Sequence, residues 1–490
     1  MSIGLKALRG AIWTIGSSLI ARGLGLIGTL VLVHYLAPTV YGEVADASVL
    51  VLSANQFSTL GVGMYVVTKR NEARAAIFHA TLLHFLLGAL ALAFAILLRQ
   101  PLGRYMHAPD MGPFVIGLVA SVLIDRVSFV PERLLVRDLR FRAVGLGRTV
   151  GELSYTLVSV GAAVGGLGGM SIVWGNIARS LLRAVWMIGA NHRRDWFEWG
   201  PIDFKRFSEI ARYGLPVALT GIATFAARRW DNGLMSHYFG VGMGGLYTLA
   251  YNLADIPAVQ VGEQLTDVML SAFVHWDRGQ RSEALRRSLP LIALVMFPLG
   301  VGLGVVAPTL ARVGVNDRWI AVGPMLACLS ALSITRPIAG ALGAHLAAAG
   351  RNLTILIVEA STAIGVILGI AASWHFGALT ACVAVGVVFA LRAFALAAAL
   401  ARLEAVPLGQ LLGGLAAPLC ACLPMVAAIL LWRNFFPAVA PRFELGIELA
   451  LGAVLYPLSA LLIAGPSTRD LIALGRQAIA KRAASKDQPL

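Results

Sequence analysis

The sequence predicts an all-α integral membrane protein of about fourteen transmembrane helices: two pseudo-symmetric six-helix lobes followed by two appended helices. Three observations predict it. Of the 490 residues, 58% belong to the AVILMFWYC set and only 13% are charged, with a mean hydropathy of +0.78; a soluble chain carries about 25% charge. Fourteen stretches are long and apolar enough to cross roughly 30 Å of hydrocarbon. The chain also matches itself when shifted by 203 or 209 residues. A soluble core of this size would divide into domains joined by polar linkers, and no such linker interrupts the sequence.

The expected spans are Ala11 to His34, Val44 to Thr68, Ile77 to Leu98, Met111 to Val130, Val144 to Val164, Gly168 to Ala190 and Tyr213 to Phe239. They continue with Gly244 to Val274, Ser288 to Arg312, Ala321 to Ala349, Thr354 to Trp374, Gly377 to Leu400, Leu411 to Trp432 and Glu444 to Ile463. The first is followed at once by a turn and another span, so it reads as an anchor and not a cleavable leader. Residues 1–200 and 201–405 form the two lobes, 406–466 the appended pair and 467–490 a basic tail.

Lys and Arg in the connections set the orientation, because cationic loops resist translocation. With a cytoplasmic N-terminus, 25 of them fall inside, in clusters such as Arg133 to Arg142 and Arg278 to Arg287, and only five outside (Arg99, Arg104, Arg318, Arg433, Arg442). Both termini are therefore expected in the cytoplasm. The same asymmetry accounts for the formal charge of +15 without a nucleic-acid partner. The inner clusters are expected to form short interfacial helices whose cations meet anionic head groups. The short outer connections leave no extramembrane domain for a catalytic site, so an enzyme is not expected. Cys328, Cys382, Cys420 and Cys422 lie in apolar runs with no histidine at ligand spacing, so they read as buried thiols and not as disulfides or a metal site.

The shift of 203 places Arg9-Gly-Ala-Ile-Trp on Arg212-Tyr-Gly-Leu-Pro, His34-Tyr35 on His237-Tyr238 and Gly42 on Gly245. The shift of 209 places Arg142 on Arg351, Gly168 on Gly377 and Leu182-Arg183-Ala184 on Leu391-Arg392-Ala393. Two halves in the same orientation, related about the membrane normal, are a transporter arrangement with the substrate near midplane between them.

Ten arginines fall within the spans or at their edges: Arg22, Arg126, Arg148, Arg179, Arg183, Arg228, Arg229, Arg312, Arg336 and Arg392. A charge at a span centre costs at least about 2.5–3.5 kcal/mol, so a group of them calls for a wet cavity or an anionic partner. Arg148, Arg183, Arg312 and Arg392 reach a span end and are expected to snorkel. Arg126 either pairs with Asp125 or reaches the interface. Arg22, Arg179 and Arg336 are central, and Arg228 and Arg229 lie just past the centre of the span that repeats the first. Structural pairing is the competing account, with Asp231, one turn from Arg228, as one partner. The mid-span acids are few, chiefly Asp231, Asp255 and Glu359, with Glu152 nearer an end, so the centre reads as net cationic. Guanidinium groups there suit a phosphate or pyrophosphate, which accepts two parallel hydrogen bonds from each fork. Glu263 and Asp267 read as interfacial. Gly300, Gly302 and Gly304 read as helix packing, since no strand precedes them as a phosphate loop requires.

The stretches Leu32-Val-His-Tyr-Leu-Ala-Pro-Thr-Val-Tyr-Gly42, Arg137-Asp-Leu-Arg-Phe-Arg142, and Asp231 through Ser236-His-Tyr-Phe-Gly to Tyr251-Asn-Leu-Ala, with the span count, resemble the Wzx-type polysaccharide flippases. Those flippases form the polysaccharide branch of the multidrug/oligosaccharidyl-lipid/polysaccharide exporter superfamily. The resemblance implies a bilobal, V-shaped carrier of the bacterial inner membrane that moves a polyprenyl-pyrophosphate-linked oligosaccharide to the periplasmic leaflet. The pathway would make lipopolysaccharide or exopolysaccharide. Arg22 and Arg228 match positions where such carriers place cavity cations, with Arg229, Arg336 and Arg179 as further candidates. Asp231, Asp255 or Glu359 would couple transport to protons or sodium, and no other cofactor is implied. Its partners would be the lipid-linked oligosaccharide, membrane lipids and polymerase machinery, with the carrier itself a monomer. Two alternatives stay open: an ion-coupled multidrug exporter of the same superfamily, which would want acids and aromatics in its cavity, and a membrane polysaccharide polymerase or ligase, which would want a large outer loop.

The orientation is testable by cysteine labelling. In a background without native cysteines, Arg137→Cys should resist a membrane-impermeant maleimide added to the periplasmic side and react once membranes are opened. Efficient labelling in intact cells would reverse the topology.

Overall fold

A computed structural model describes residues 23–68, 74–138, 140–192, 195–198, 201–262, 265–266, 269–270, 273–404, 406–436, 439–465, 468–470 and 473. Among the described residues every regular element is helical, as a chain in lipid requires, since a helix satisfies its own backbone polar groups. The helices of the first half are α1 (Gly23–Tyr35), α2 (Pro38–Phe57), α3 (Val62–Thr68), α4 (Arg74–Tyr105), α5 (Gly112–Arg137), α6 (Phe141–Val164) and α7 (Met170–Gly189). Then come α8 (Phe204–Phe239), α9 (Val241–Pro257), α10 (Arg278–Gly314), α11 (Val322–Leu329), α12 (Leu332–Ala348), α13 (Asn352–Ala372), α14 (Ala378–Leu403), α15 (Leu408–Phe435) and α16 (Pro441–Ile463). All fourteen expected stretches carry described helix, and nine helical stretches among the described residues are long and apolar enough to cross a membrane unaided.

The chain departs from the expected spans in three ways. The second is broken: Leu60 and Gly61 take positive φ (40° and 62°), ending α2 and starting α3 in a new direction. The eighth leaves regular helix at Pro257, after which a π turn runs from Ala258 to Gly262; proline removes a backbone donor and crowds the preceding turn. The tenth is divided at Ser330 and Ala331 into α11 and α12. The basic inner connections do not form separate interfacial helices among the described residues. Instead α5 runs on to Arg137, and α8 begins at Phe204, reaching 36 residues, about 54 Å at 1.5 Å per residue.

By its internal contacts the chain divides into two units, Met1–Thr248 with Glu359–Ala378, and Leu249–Val358 with Leu379–Leu490. In the first, α2, α4, α5 and α7 bury Leu50, Val51, Leu92, Val115, Val119 and Val173, and α6 lies along α7. In the second, α15 and α16 pack on α10, joining Ile292, Met296, Ala421, Met425, Ile429 and Tyr456 in one core. There the Tyr456 hydroxyl donates to the Leu294 carbonyl at 2.6 Å. Leu97 and Leu462 face outward, 73% and 86% exposed, as residues bathed in lipid do. Cys382 and Cys422 are buried, but Cys420 is exposed on the apolar surface, which corrects its reading as a buried thiol. Among the described residues no group of three or more His, Cys, Asp or Glu could hold a metal ion. Arg9, Arg22, Glu263, Asp267 and most of the basic tail lie outside the described residues.

Gly42 and Gly245, which the 203-residue shift aligns, touch each other in the first unit. A methyl group on Gly42 would overlap the Val241 carbonyl oxygen, and one on Gly245 the Pro38 carbonyl oxygen. The absent side chains let the start of α2 meet α9 backbone to backbone, as small residues do in lipid. Gly245→Val should therefore force α2 and α9 apart, at about 1–3 kcal/mol. The lowered thermal midpoint should be visible in detergent-solubilised protein, and a midpoint equal to wild type would show that the contact is loose.

Candidate functional site

In the first unit, α8 carries the cations and a polar stripe. Arg228 and Arg229 are half-buried, whereas Asp231, Asn232 and Ser236 beyond them are buried. Asp231 accepts a hydrogen bond from the Tyr247 hydroxyl at 2.7 Å. The Asn232 side-chain oxygen accepts from Thr248 at 3.2 Å. Ser236 donates to Asp46 on α2 at 3.0 Å. The residues at i, i+1 and i+5 thus tie α8 to α9 and to α2. Asp46 is 1% exposed, and its second carboxyl oxygen has no hydrogen-bond partner. Sequence reasoning missed it, although a single acid among the apolar residues of the second span was signal enough. Glu359 is buried on α13 in the same unit.

Arg179 sits on α7 between acid and ring. It pairs with Glu152 of α6 at 3.3 Å, donates to Asn176 and lies 4.9 Å from the Tyr155 ring centre. Arg148 and Arg183, expected to snorkel, also find an acid. Both converge on the buried Glu132 of α5, Arg148 at 2.7 Å and Arg183 at 2.5 Å, with Asp125 3.8 Å from Arg183. Glu132 lies in a basic inner stretch, and only folding shows that it faces two arginines from neighbouring helices. Arg126 neither pairs with Asp125 nor reaches an interface. It is 3% exposed and donates to the carbonyls of His84 (2.5 Å) and Asn55 (2.9 Å) and to the Ser58 hydroxyl. Asn55 and Ser58 lie where α2 ends, a place suited to a cation, and the His84 carbonyl belongs to the interior of α4, so Arg126 ties the two helices together.

In the second unit Arg336 of α12 forms an ion pair with Asp255 of α9. Its guanidinium also lies 5.7 Å from the Tyr251 ring centre and 5.5 Å from that of Phe389. Two residues called separately, one for substrate and one for an ion, are thus joined. Arg312 pairs with Glu444 at 2.8 Å. Arg433, counted as an outer-loop cation, reaches Glu448 at 2.5 Å, the Val305 carbonyl at 2.7 Å and Thr309 at 3.0 Å. Two arginines and two glutamates thereby fasten α15 and α16 to α10. Glu404, buried after α14, holds Arg278 (3.3 Å) and Arg351 (3.4 Å). Arg392 is 8% exposed on α14, buried and not at a solvent edge.

Known proteins share this architecture. A family model described as polysaccharide biosynthesis protein matches residues 31–324. The chain is 22% identical over 354 residues to the lipopolysaccharide biosynthesis protein WzxC of Escherichia coli (strain K12), covering 72% of each chain. It is 24% identical over 324 residues to the succinoglycan biosynthesis transport protein ExoT of Rhizobium meliloti (strain 1021), covering 65% of this chain and 64% of that one. Among solved structures it superposes on the lipid II flippase MurJ in an inward closed conformation with a TM-score of 0.74, at 13% identity, over 94% of this chain and 100% of that one. An inward-facing multidrug resistance MATE family transporter gives a TM-score of 0.60 at 14% identity, over 78% of this chain and 96% of that one. At these identities the structural matches establish the fold. ExoT is described as a transport protein, MurJ as a flippase and the MATE protein as a transporter.

The buried pair of the second unit makes a specific prediction. Asp255→Asn leaves Arg336 without its carboxylate, which should cost about 3–5 kcal/mol and lower membrane abundance. Combining it with Arg336→Gln removes the stranded charge and should restore most of that abundance. A single variant as abundant as wild type would mean that another group neutralises Arg336.

Proposed function

We propose, from the premise that this chain belongs to the polysaccharide biosynthesis protein family within the multidrug/oligosaccharidyl-lipid/polysaccharide transporter superfamily, that it is a flippase for a polyprenyl-pyrophosphate-linked oligosaccharide. It works in the bacterial inner membrane with both termini in the cytoplasm. The observation that carries the reading is the adjacent pair Arg228 and Arg229 near the centre of the apolar stretch 213–239 of α8, a helix long and apolar enough to cross the bilayer. Two guanidinium forks on consecutive residues supply the charge for the two phosphates of a pyrophosphate, each fork able to donate parallel hydrogen bonds to an oxyanion. Arg22 is the third cation of this site.

Arg179 would meet cargo only by releasing Glu152, and in the second unit Arg336 only by releasing Asp255, so each exchange would couple cargo binding to the movement of a carboxylate. Asp231, Asp255 and Glu359 are the groups through which a proton or sodium ion would drive the cycle. The pyrophosphate binds from the cytoplasmic side, the carrier exposes it to the other side by alternating access, and the glycan passes to a polymerase. An organic-cation exporter would need acids in place of the Arg228 and Arg229 pair.

Complementation of a flippase-deleted strain tests this, with membrane abundance measured for each variant. Arg228→Glu and Arg229→Glu should abolish surface polysaccharide at normal abundance, since each inverts a charge that contacts the cargo. Arg228→Lys, which keeps the charge but loses the fork, should fall between these and wild type. Wild-type export from both Glu variants would make these cations structural and sink the cargo site.

A further inference from the structure

Outward along α8 from Arg229, the first unit holds a cavity of about 410 Å³, within the range of small-molecule sites. Its walls come from α2 (Val49, Phe57), α4 (Phe94, Leu98), α8 (Trp230) and α13 (Ile367). They are mostly hydrocarbon and ring: the Trp230 indole N–H donates to the Ser53 hydroxyl at 3.1 Å, which leaves the Tyr105 hydroxyl as the other polar side-chain group of the lining. A cavity of that character favours an apolar guest. Ala226 and Ala227 of α8 pack with Ala363 of α13 beside Trp230. The sides of the cavity reach lipid, since Phe57 and Phe94 are 48% and 59% exposed.

We infer that this cavity receives the isoprenoid chain of the carrier lipid while the pyrophosphate is held at Arg228 and Arg229. The inference rests on the flippase reading and adds to it a place for the tail. Depth identifies the occupant. Arg229 lies one turn before Gly233, which lines the cavity on the same helical face. A resident phospholipid keeps its phosphate at the interface, about 15 Å from the bilayer centre. Only a lipid in transit brings a phosphate to the centre of the apolar stretch 213–239 of α8 with hydrocarbon leading away from it. The aromatic walls suit the methyl-branched, unsaturated isoprene units. The chain would thus pass along α2, α4 and α8 ahead of the head group, instead of trailing in bulk lipid.

Two substitutions fill the cavity from opposite walls. At Gly233 an added Cβ meets only the flexible end of Met106, so Gly233→Leu is accommodated by displacing that side chain into the cavity. Ala54→Leu does the same from α2. Full-length protein in nanodiscs is photolabelled with a diazirine-bearing polyprenyl phosphate that carries no sugar, or with diazirine phosphatidylglycerol, and the labelled peptides are identified by mass spectrometry. The polyprenyl probe should label 49–57 and 94–106, be displaced by unlabelled polyprenyl phosphate, and lose about tenfold in yield, equivalent to about 1.4 kcal/mol of binding, in both filled variants. Labelling of the same segments by phosphatidylglycerol without displacement by polyprenyl phosphate overturns the proposal, as does wild-type yield in both variants. Export by Arg228→Glu is read independently, so its loss alongside an unlabelled cavity would remove the tail site and leave the flippase reading standing.

Discussion

A guanidinium inside hydrocarbon must find oxygen, and the internal arrangement of both units follows from that requirement. Insertion of each central arginine costs several kcal/mol unless a carboxylate, a carbonyl or an anionic guest receives it. Glu132 takes Arg148 and Arg183, Glu152 takes Arg179, Asp255 takes Arg336, and Glu444 with Glu448 take Arg312 and Arg433. Arg126 is served by carbonyls and a hydroxyl instead of an acid. Most of these contacts join different helices, so neutralisation and tertiary packing are the same event. In lipid, where apolar contact alone gives little preference for one helix neighbour over another, such pairs also specify which helices meet.

The same requirement separates structural cations from candidate working ones. Where two arginines share a buried glutamate, as at Glu132, the cluster is compact and close to neutral, suited to holding helices still. On α8, Asp231 also takes a hydrogen bond from the Tyr247 hydroxyl, and Asp46 of α2 takes one from Ser236. Hydroxyl partners are weaker than guanidinium partners and easier to exchange. That helix also lies beside the interruption at Leu60 and Gly61, where Gly214 lets the two backbones meet. Arginines, exchangeable acids and an interrupted neighbouring helix on one element are what a moving binding site requires.

Much of the fold was legible because the spans are a matter of hydropathy and length. The interruptions were not: Leu60-Gly61 and Pro257 sit within apolar runs whose mean hydropathy hides them, and their effect depends on neighbours such as Gly214 and Arg126. The depth of Arg228, Arg229 and Arg336 could be read from position within a span. Their partners could not, because Arg336 and Asp255 are 81 residues apart, and Arg183 and Glu132 51 apart, and a helix face is not assigned by counting acids along the chain. Glu132, Glu404, Glu444 and Glu448 stand at or near the ends of expected spans, where nothing in the sequence marks them as partners, yet the fold brings them to arginines. Asp46 was overlooked because attention to net positive charge favoured arginines over a lone acid.

The central claim, that this chain carries a lipid-linked glycan across the bilayer on the cations of α8, is tested most directly in proteoliposomes. Purified protein is reconstituted with a polyprenyl-pyrophosphate-linked oligosaccharide distributed over both leaflets, and a membrane-impermeant periodate modifies the sugars that reach the outside. Wild-type protein should bring the protected inner pool out until nearly all of it reacts, whereas Arg228→Glu liposomes should stop at the half initially exposed. Equal extents of reaction in wild-type, Arg228→Glu and protein-free liposomes would contradict the account.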